Sequence, residues 1–218
     1  MRLNKFESAG ISPLGEGEQK KTFINPEDER KIISETRESA EKDTPRQLKG
    51  RYYLTKIAHL LLPKNIPDIY QAGESRNETQ TVDTERISHT LGHTFLQEER
   101  RSGADEGFAR KQMIEEMGAG MGEVDLELER IGLGFNIDSN VGNYTKDEAG
   151  NVYYLETFKP WQADPVNPKE LEVLFDEDEL RGAIEDISDQ ETKEKCTHYL
   201  ERLLALLEEE KQELQEER

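Results

Sequence analysis

The sequence predicts a small α+β protein in two lobes. A mixed-strand first lobe with one helix covers 1–87, and a mainly helical second lobe over 88–218 carries one β-hairpin (141–158) and a long acidic C-terminal helix (192–218). Three observations carry this reading. Short strand-like segments punctuated by Gly and Pro fill the first third of the chain. A polar loop, Lys146-Asp147-Glu148-Ala149-Gly150-Asn151, is flanked by strand-rich residues on both sides. Apolar residues at three- and four-residue spacings mark the last helix.

Element by element, Gly10, Pro13, Gly15, Gly17 and Asn25-Pro26 divide the N-terminal region, leaving Lys21–Ile24 and Lys31–Ile33 as strands. The charged stretch from Ile33 to Pro45 reads equally as a solvated helix or a connector. Thr44 as N-cap and Pro45 at the first helical position open a helix through Leu48, Tyr52, Leu54, Ile57, Ala58, Leu61 and Leu62, which Pro63 ends. Ile66–Tyr70 and Thr79–Glu85 read as strands around a turn at Gly73–Asn77. Helices follow at Leu91–Arg101 and Gly107–Met117, the second broken by Gly118, Gly120 and Gly122, with an amphipathic turn at Val124, Leu128 and Ile131. Val141–Thr145 and Val152–Phe158 form the hairpin. Beyond Pro160 and Pro165, Pro168–Leu174 and Glu177–Ile187 read as helical. The last helix places Cys196, Tyr199, Leu200, Leu203, Leu204 and Leu207 on one face, expected to pack on the second lobe and to fray after Glu209.

Composition narrows the class of function. Of 218 residues, 33% are hydrophobic and 35% charged, with a formal net charge of -19. Such a charge repels phosphate backbones and anionic headgroups, so direct nucleic-acid binding and membrane association are not expected. The segment 169–218 holds 18 acidic and 7 basic residues and so supplies most of that charge. The longest apolar run, Ile57–Leu62, is far shorter than the roughly 20 residues of a membrane span, and Arg2-Leu3-Asn4-Lys5 is not the apolar core of a signal peptide. A cytoplasmic location is the expectation. One cysteine, Cys196, excludes an intrachain disulfide or a multi-Cys metal site.

The chemistry-bearing constellation lies around the hairpin. Asn136-Ile137-Asp138-Ser139-Asn140-Val141-Gly142-Asn143 enters its first strand, and Glu156 follows near the end of the second. An Asp and an Asn five apart, followed by an acid on the next strand, suits phosphoryl transfer, which needs a base for the acceptor proton and oxygen ligands for magnesium. The segment Asp138–Phe158 resembles the catalytic loop and metal-binding strand of aminoglycoside phosphotransferases and other members of the protein-kinase-like superfamily. The resemblance extends in element order over most of Leu14–Phe158, and it implies a reduced two-lobed kinase-like fold that binds ATP and Mg2+. It implies Asp138 as catalytic base, Asn143 and Glu156 as metal ligands, Gly15 and Gly17 in a glycine-rich loop over the nucleotide, and Lys31 as the phosphate lysine. Departures from the pattern are visible: Lys20 stands where a third loop glycine is usual, Asn136 replaces a His, Glu156 replaces an Asp, and the helix Pro45–Leu62 has no acid to pair with the lysine. Glu35, Glu38 and Glu41 are the available substitutes.

Plainer readings stand beside these. Asp138, Asn140 and Asn143 are residue types that cap turns in any loop. His89 and His93 share a helical spacing but lack the general base of an H-E-x-x-H motif, and read as surface or capping residues. His59, Trp161, Tyr153 and Tyr154 read as packing residues, and Cys196 as inert. Two alternatives to an active phosphotransferase follow: a catalytically degenerate pseudokinase acting as nucleotide sensor or acidic protein-interaction module, and an acidic nucleic-acid mimic that occupies a basic groove on a partner. The acceptor, whether a small molecule or a protein, has no signature in the sequence.

Overall fold

The computed structural model describes residues 10–16, 20–36, 40, 42–74, 80–87, 108–167 and 169–216. Gly17, Glu38, Glu41, His89, His93 and the expected helix Leu91–Arg101 lie outside the described residues. What is described is a mixed α+β fold with antiparallel sheets. Strands β1 (Gly15–Glu16), β2 (Lys20–Ile24), β3 (Lys31–Thr36), β4 (Ile69–Glu74) and β5 (Gln80–Glu85) form one sheet in the order β1-β2-β3-β5-β4. Every neighbouring pair is antiparallel. β4 runs on through Gly73, where a turn was expected, because β5 pairs with it as far as Glu74↔Gln80.

Helix α1 (Pro45–Leu61) sits between β3 and β4 in the chain and starts where its cap requires. Thr44 Oγ1 accepts the Gln47 amide at 3.1 Å, and the Gln47 side chain accepts the Thr44 amide at 2.6 Å. This reciprocal box satisfies two backbone donors that the first turn leaves unpaired.

Helix α2 (Phe108–Arg130) is continuous, which corrects the expected break at Gly118, Gly120 and Gly122. Each glycine costs a helix roughly 1 kcal/mol against alanine, but tertiary packing overrides that cost. Gly120 lies against the hairpin, where a Cβ would come within 2.5 Å of Val152 Cγ2. Two 3-10 turns, Gly134–Asn136 and Val141–Asn143, then lead into strands β6 (Tyr144–Lys146) and β7 (Val152–Tyr154). The hairpin is therefore present, though shorter than the expected 141–158: its first flank begins as a 3-10 turn and its ladder ends at Tyr154.

The expected helix Pro168–Leu174 is not formed over its described residues, 169–174. Trp161–Ala163 (β8) pairs with Leu171–Val173 (β9), with Trp161 opposite Val173 and the proline-containing stretch at the turn. Helix α3 (Glu177–Glu185) begins at the Asp176 cap, with three acids in its first turn complementing the helix dipole. Helix α4 (Gln190–Glu216) starts after Asp189, whose carboxylate accepts the Thr192 amide at 2.8 Å.

Helix α4 packs chiefly along α1, not on the second lobe alone, and it stays helical to Glu216. Beyond the last buried leucine, Leu207, the guanidinium of Arg46 on α1 bonds Glu210 at 3.2 Å and also Glu213, with Glu209 at 3.5 Å. These contacts replace the apolar support whose end predicted fraying. One hydrophobic core consequently joins Leu54, Ile57, Ala58 and Ile66 to Leu128, Tyr144, Tyr154, Phe158, Trp161, Leu200, Leu203 and Leu207. That core does not divide at 87, because α1 contributes to it. The five-stranded sheet has a small cluster of its own, Phe23 and Ile33 with Ile11. Among the described residues, no helix is long and apolar enough to cross a membrane.

Candidate functional site

The loop before the hairpin is shaped by side chains of the elements around it. The buried phenol of Tyr154, on β7, accepts the Asp138 amide and donates to the Asn136 carbonyl, each at 3.1 Å. From α2, Asp125 accepts the Ser139 hydroxyl at 2.9 Å and the Tyr144 phenol. Burial pushes the Tyr154 phenol up to about 12. It raises Tyr144 as well, where the hydrogen bond to Asp125 adds to the effect. Both phenols therefore remain neutral donors at ordinary pH.

Within the loop, Asp138 Oδ1 accepts the Asn140 amide and Asn140 Oδ1 accepts the Gly142 amide, both at 3.1 Å. Consecutive Asx turns of this kind fix the backbone locally. Asn143 Nδ2 then donates to the Asp138 carbonyl at 3.0 Å. Its amide NH2 is thereby committed to the loop, and its Oδ1 is the atom left to act as a ligand. The Leu155 amide donates to the Asn143 carbonyl at 2.7 Å, so Glu156 is one residue past the position opposite Asn143.

Glu156 meets the five-stranded sheet. Both of its carboxylate oxygens accept from Lys20 Nζ at 2.6 Å. Lys20 opens β2, and β1 pairs with β2 through Gly15↔Thr22 and Glu16↔Lys21. The side chains of Lys20 and Glu156 are 36% and 31% exposed, so the pair is accessible to solvent and to a ligand. Its contribution to stability is correspondingly small, roughly 0–1 kcal/mol.

The segment after Glu156 is held by α1. Arg51 donates to the Thr157 carbonyl at 3.1 Å and to its hydroxyl at 3.2 Å. Thr55 Oγ1 accepts the Phe158 amide at 3.0 Å, and Gln47 Nε2 donates to the Trp161 carbonyl at 3.1 Å. Gly50 lets the two backbones approach, since a Cβ there would lie 2.8 Å from Pro160 Cγ and 3.0 Å from the Trp161 ring. The helix that contains no acidic residue thus reaches the site through Arg51, Thr55 and Gln47.

The predicted residues are distributed unequally. Asp138, Asn143 and Glu156 share one end of the hairpin and its entry loop, and Gly15 lies on the strand next to β2. Lys31 is elsewhere. It begins β3, pairs with Glu85, and is at the opposite end of that strand from Thr36, the partner of Lys20. Its ammonium lies 3.5 Å from Asp28 and 4.6 Å from the Tyr70 ring centroid. The cation brought to Glu156 is Lys20, which sequence reading had treated only as a missing glycine. The signal available for it was position: a lysine three residues after the Gly15-Glu16-Gly17 sequence, at the start of the second strand. Glu35 lies on β3 and is buried. His59 Nδ1 lies 2.8 Å from the Ile66 carbonyl, in keeping with a structural role.

The hard-oxygen donors expected for a metal are the Asn143 amide oxygen and the Glu156 carboxylate, and both oxygens of the latter are engaged by Lys20. Among the described residues no group of three or more His, Cys, Asp or Glu side chains is placed to hold a metal ion. Magnesium is usually held by one or two side chains, with phosphate and water completing the octahedron. No protein-family model and no curated protein matches the chain.

Proposed function

We propose that this chain is a reduced kinase-like protein that binds ATP with magnesium and transfers the γ-phosphoryl group to a hydroxyl or amine of a small-molecule or protein acceptor. The observation that carries the reading is the meeting of Lys20, at the start of β2, with Glu156, at the exit of the hairpin. A cation at the start of β2 and an acid two residues past β7, on the hairpin whose entry loop carries Asp138 and Asn143, are groups a nucleotide–metal complex requires. The antiparallel order β1-β2-β3-β5-β4 with a helix between β3 and β4, then a helix, a polar loop and a hairpin, supports the kinase-like architecture as a whole.

Each residue then has a role. Lys20 neutralises phosphate oxygens, in the place first expected of Lys31. Backbone amides at Gly15 and Glu16 approach the phosphates. The Asn143 amide oxygen and the Glu156 carboxylate hold magnesium, which supplies charge neutralisation on the transferred group. Asp138 takes the proton of the acceptor hydroxyl or amine.

A second reading keeps nucleotide binding without turnover, as a nucleotide sensor. It is favoured by one observation: Asp138 Oδ1 is already occupied in capping its own loop at Asn140. Two assays on the full chain separate the readings. A magnesium-dependent rise in melting temperature with ATP, abolished in Asn143→Ala, is expected from both. ATP consumption that disappears in Asp138→Asn while the melting shift persists is expected only from the phosphotransferase. A wild type with neither response at millimolar Mg·ATP refutes both.

A further inference from the structure

We propose that Arg51 and Asp43 are the positioning pair of this site, through which α1 and the five-stranded sheet together set the place of Glu156. The proposal rests on the nucleotide reading above and adds two residues to it. Helix α1 carries no acid, and besides Thr55 and Gln47, which bond Phe158 and Trp161, it holds the segment after Glu156 through one cation, Arg51. Arg51 grips Thr157, the residue directly after Glu156, at both its carbonyl and its hydroxyl.

The guanidinium is itself fixed. Its Nε and Nη2 donate to Asp43 Oδ2 at 2.8 and 2.5 Å, leaving Nη1 for Thr157. The Asp43 side chain is only 9% exposed, and its other oxygen lies 3.7 Å from Lys159 Nζ, a cation of the same segment as Glu156. Asp43 is tied to the sheet in turn. Gln80, the first residue of β5, accepts the Asp43 amide at 2.9 Å and donates to its carbonyl at 2.5 Å.

A continuous polar path thus runs from β5 through Gln80, Asp43 and Arg51 to Thr157, and the covalent neighbour of Thr157 is the acid that meets Lys20. Both ends of the Lys20–Glu156 contact are then referred to one frame: Lys20 through β2, β3 and β5, and Glu156 through Arg51. A planar fork with donors on two sides suits this task, because it contacts Asp43 and Thr157 at once. An ammonium does not have that geometry.

The test uses Arg51→Gln, Arg51→Lys, Asp43→Asn and Thr157→Val in the full chain. Two quantities are measured: Mg·ATP affinity by calorimetry, and amide hydrogen exchange with and without ligand. Arg51→Gln is expected to weaken Mg·ATP binding by about tenfold or more and to speed exchange selectively at Leu155–Trp161. Arg51→Lys is expected not to restore either, whereas a role of charge alone predicts rescue. If the Arg51 variants fail to fold, Thr157→Val and Asp43→Asn carry the test, each expected to weaken binding. Wild-type affinity in folded Arg51→Gln, or in both Thr157→Val and Asp43→Asn, overturns the positioning role while leaving nucleotide binding intact. Acceleration of exchange spread evenly over the chain also overturns it, since that marks general destabilisation. Absence of Mg·ATP binding in the wild type overturns the positioning role and the nucleotide reading together.

Discussion

Alanine at Gly120 and at Gly122, two positions of one helix, is expected to act with opposite signs. In an open helical site, Gly→Ala stabilises by roughly 1 kcal/mol because alanine loses less backbone freedom on folding. Gly122 is such a site, exposed and with no heavy atom within 4 Å of a would-be Cβ. At Gly120 the same Cβ falls 2.5 Å from Val152 Cγ2 and 3.3 Å from Val152 Cβ. Val152 is 7% exposed, branched and held in the β6–β7 ladder, so relief requires moving the strand that carries Tyr154 toward Glu156. Overpacking of this kind costs roughly 1–3 kcal/mol, which offsets the propensity gain and leaves a net loss of about 1 kcal/mol. Thermal unfolding followed by circular dichroism measures both. Gly122→Ala should raise the melting temperature, and Gly120→Ala should lower it by roughly 2–4 °C. Gly120→Ala with Val152→Ala should recover part of the sum of the two single losses, because the crowded methyl is gone. Equal stabilisation by both alanines would refute the packing of α2 on the hairpin.

Three further outcomes follow from the same geometry. Leu203 is fully buried on the face of α4 that meets α1, so Leu203→Asp should unfold the protein or expose it to limited proteolysis, whereas Leu203→Met should be nearly silent. Deleting Gln212–Arg218 removes Glu213 from Arg46 but leaves Glu210, and should cost less than about 1 kcal/mol in thermal unfolding, as exposed ion pairs do. The Tyr154 phenol, raised by burial to about 12, binds its proton more tightly folded than unfolded. Its stabilisation is therefore complete below about pH 10, the ordinary tyrosine range, and is lost as pH rises toward 12. Alkaline unfolding in that window should be blunted in Tyr154→Phe.

Local signals in the sequence were legible wherever they acted alone. Thr44, Pro45 and Pro63 delimit α1 because capping and proline geometry are decided within a few residues. The turn Asp147–Asn151 announces the hairpin for the same reason, with Asp147 accepting the Asn151 amide at 2.8 Å and Gly150 at φ 91°. What was not legible depended on distant partners. The glycines of α2 look like breaks until Val152 is placed against one of them. The end of α4 looks unsupported until Arg46 arrives from another helix. Pro168–Leu174 reads as helix until Trp161 is paired with Val173. The candidate site divides in the same way: Asp138, Asn143 and Glu156 are read from one hairpin, but the lysine that reaches Glu156 depends on strand register. Lys31 and Lys20 are both lysines at strand starts, and only the pairing of Lys20 with Thr36, at the far end of β3 from Lys31, separates them.

That separation gives the most direct measurement, Mg·ATP titration of wild type, Lys20→Ala and Lys31→Ala by calorimetry under identical salt. Lys20 meets Glu156 at 2.6 Å and Lys31 faces Asp28 and Tyr70. Binding in the wild type, its loss in Lys20→Ala and its retention in Lys31→Ala is the expected result. Retention in Lys20→Ala with loss in Lys31→Ala, or no binding by the wild type at all, would contradict the placement of a nucleotide site between the start of β2 and the hairpin exit.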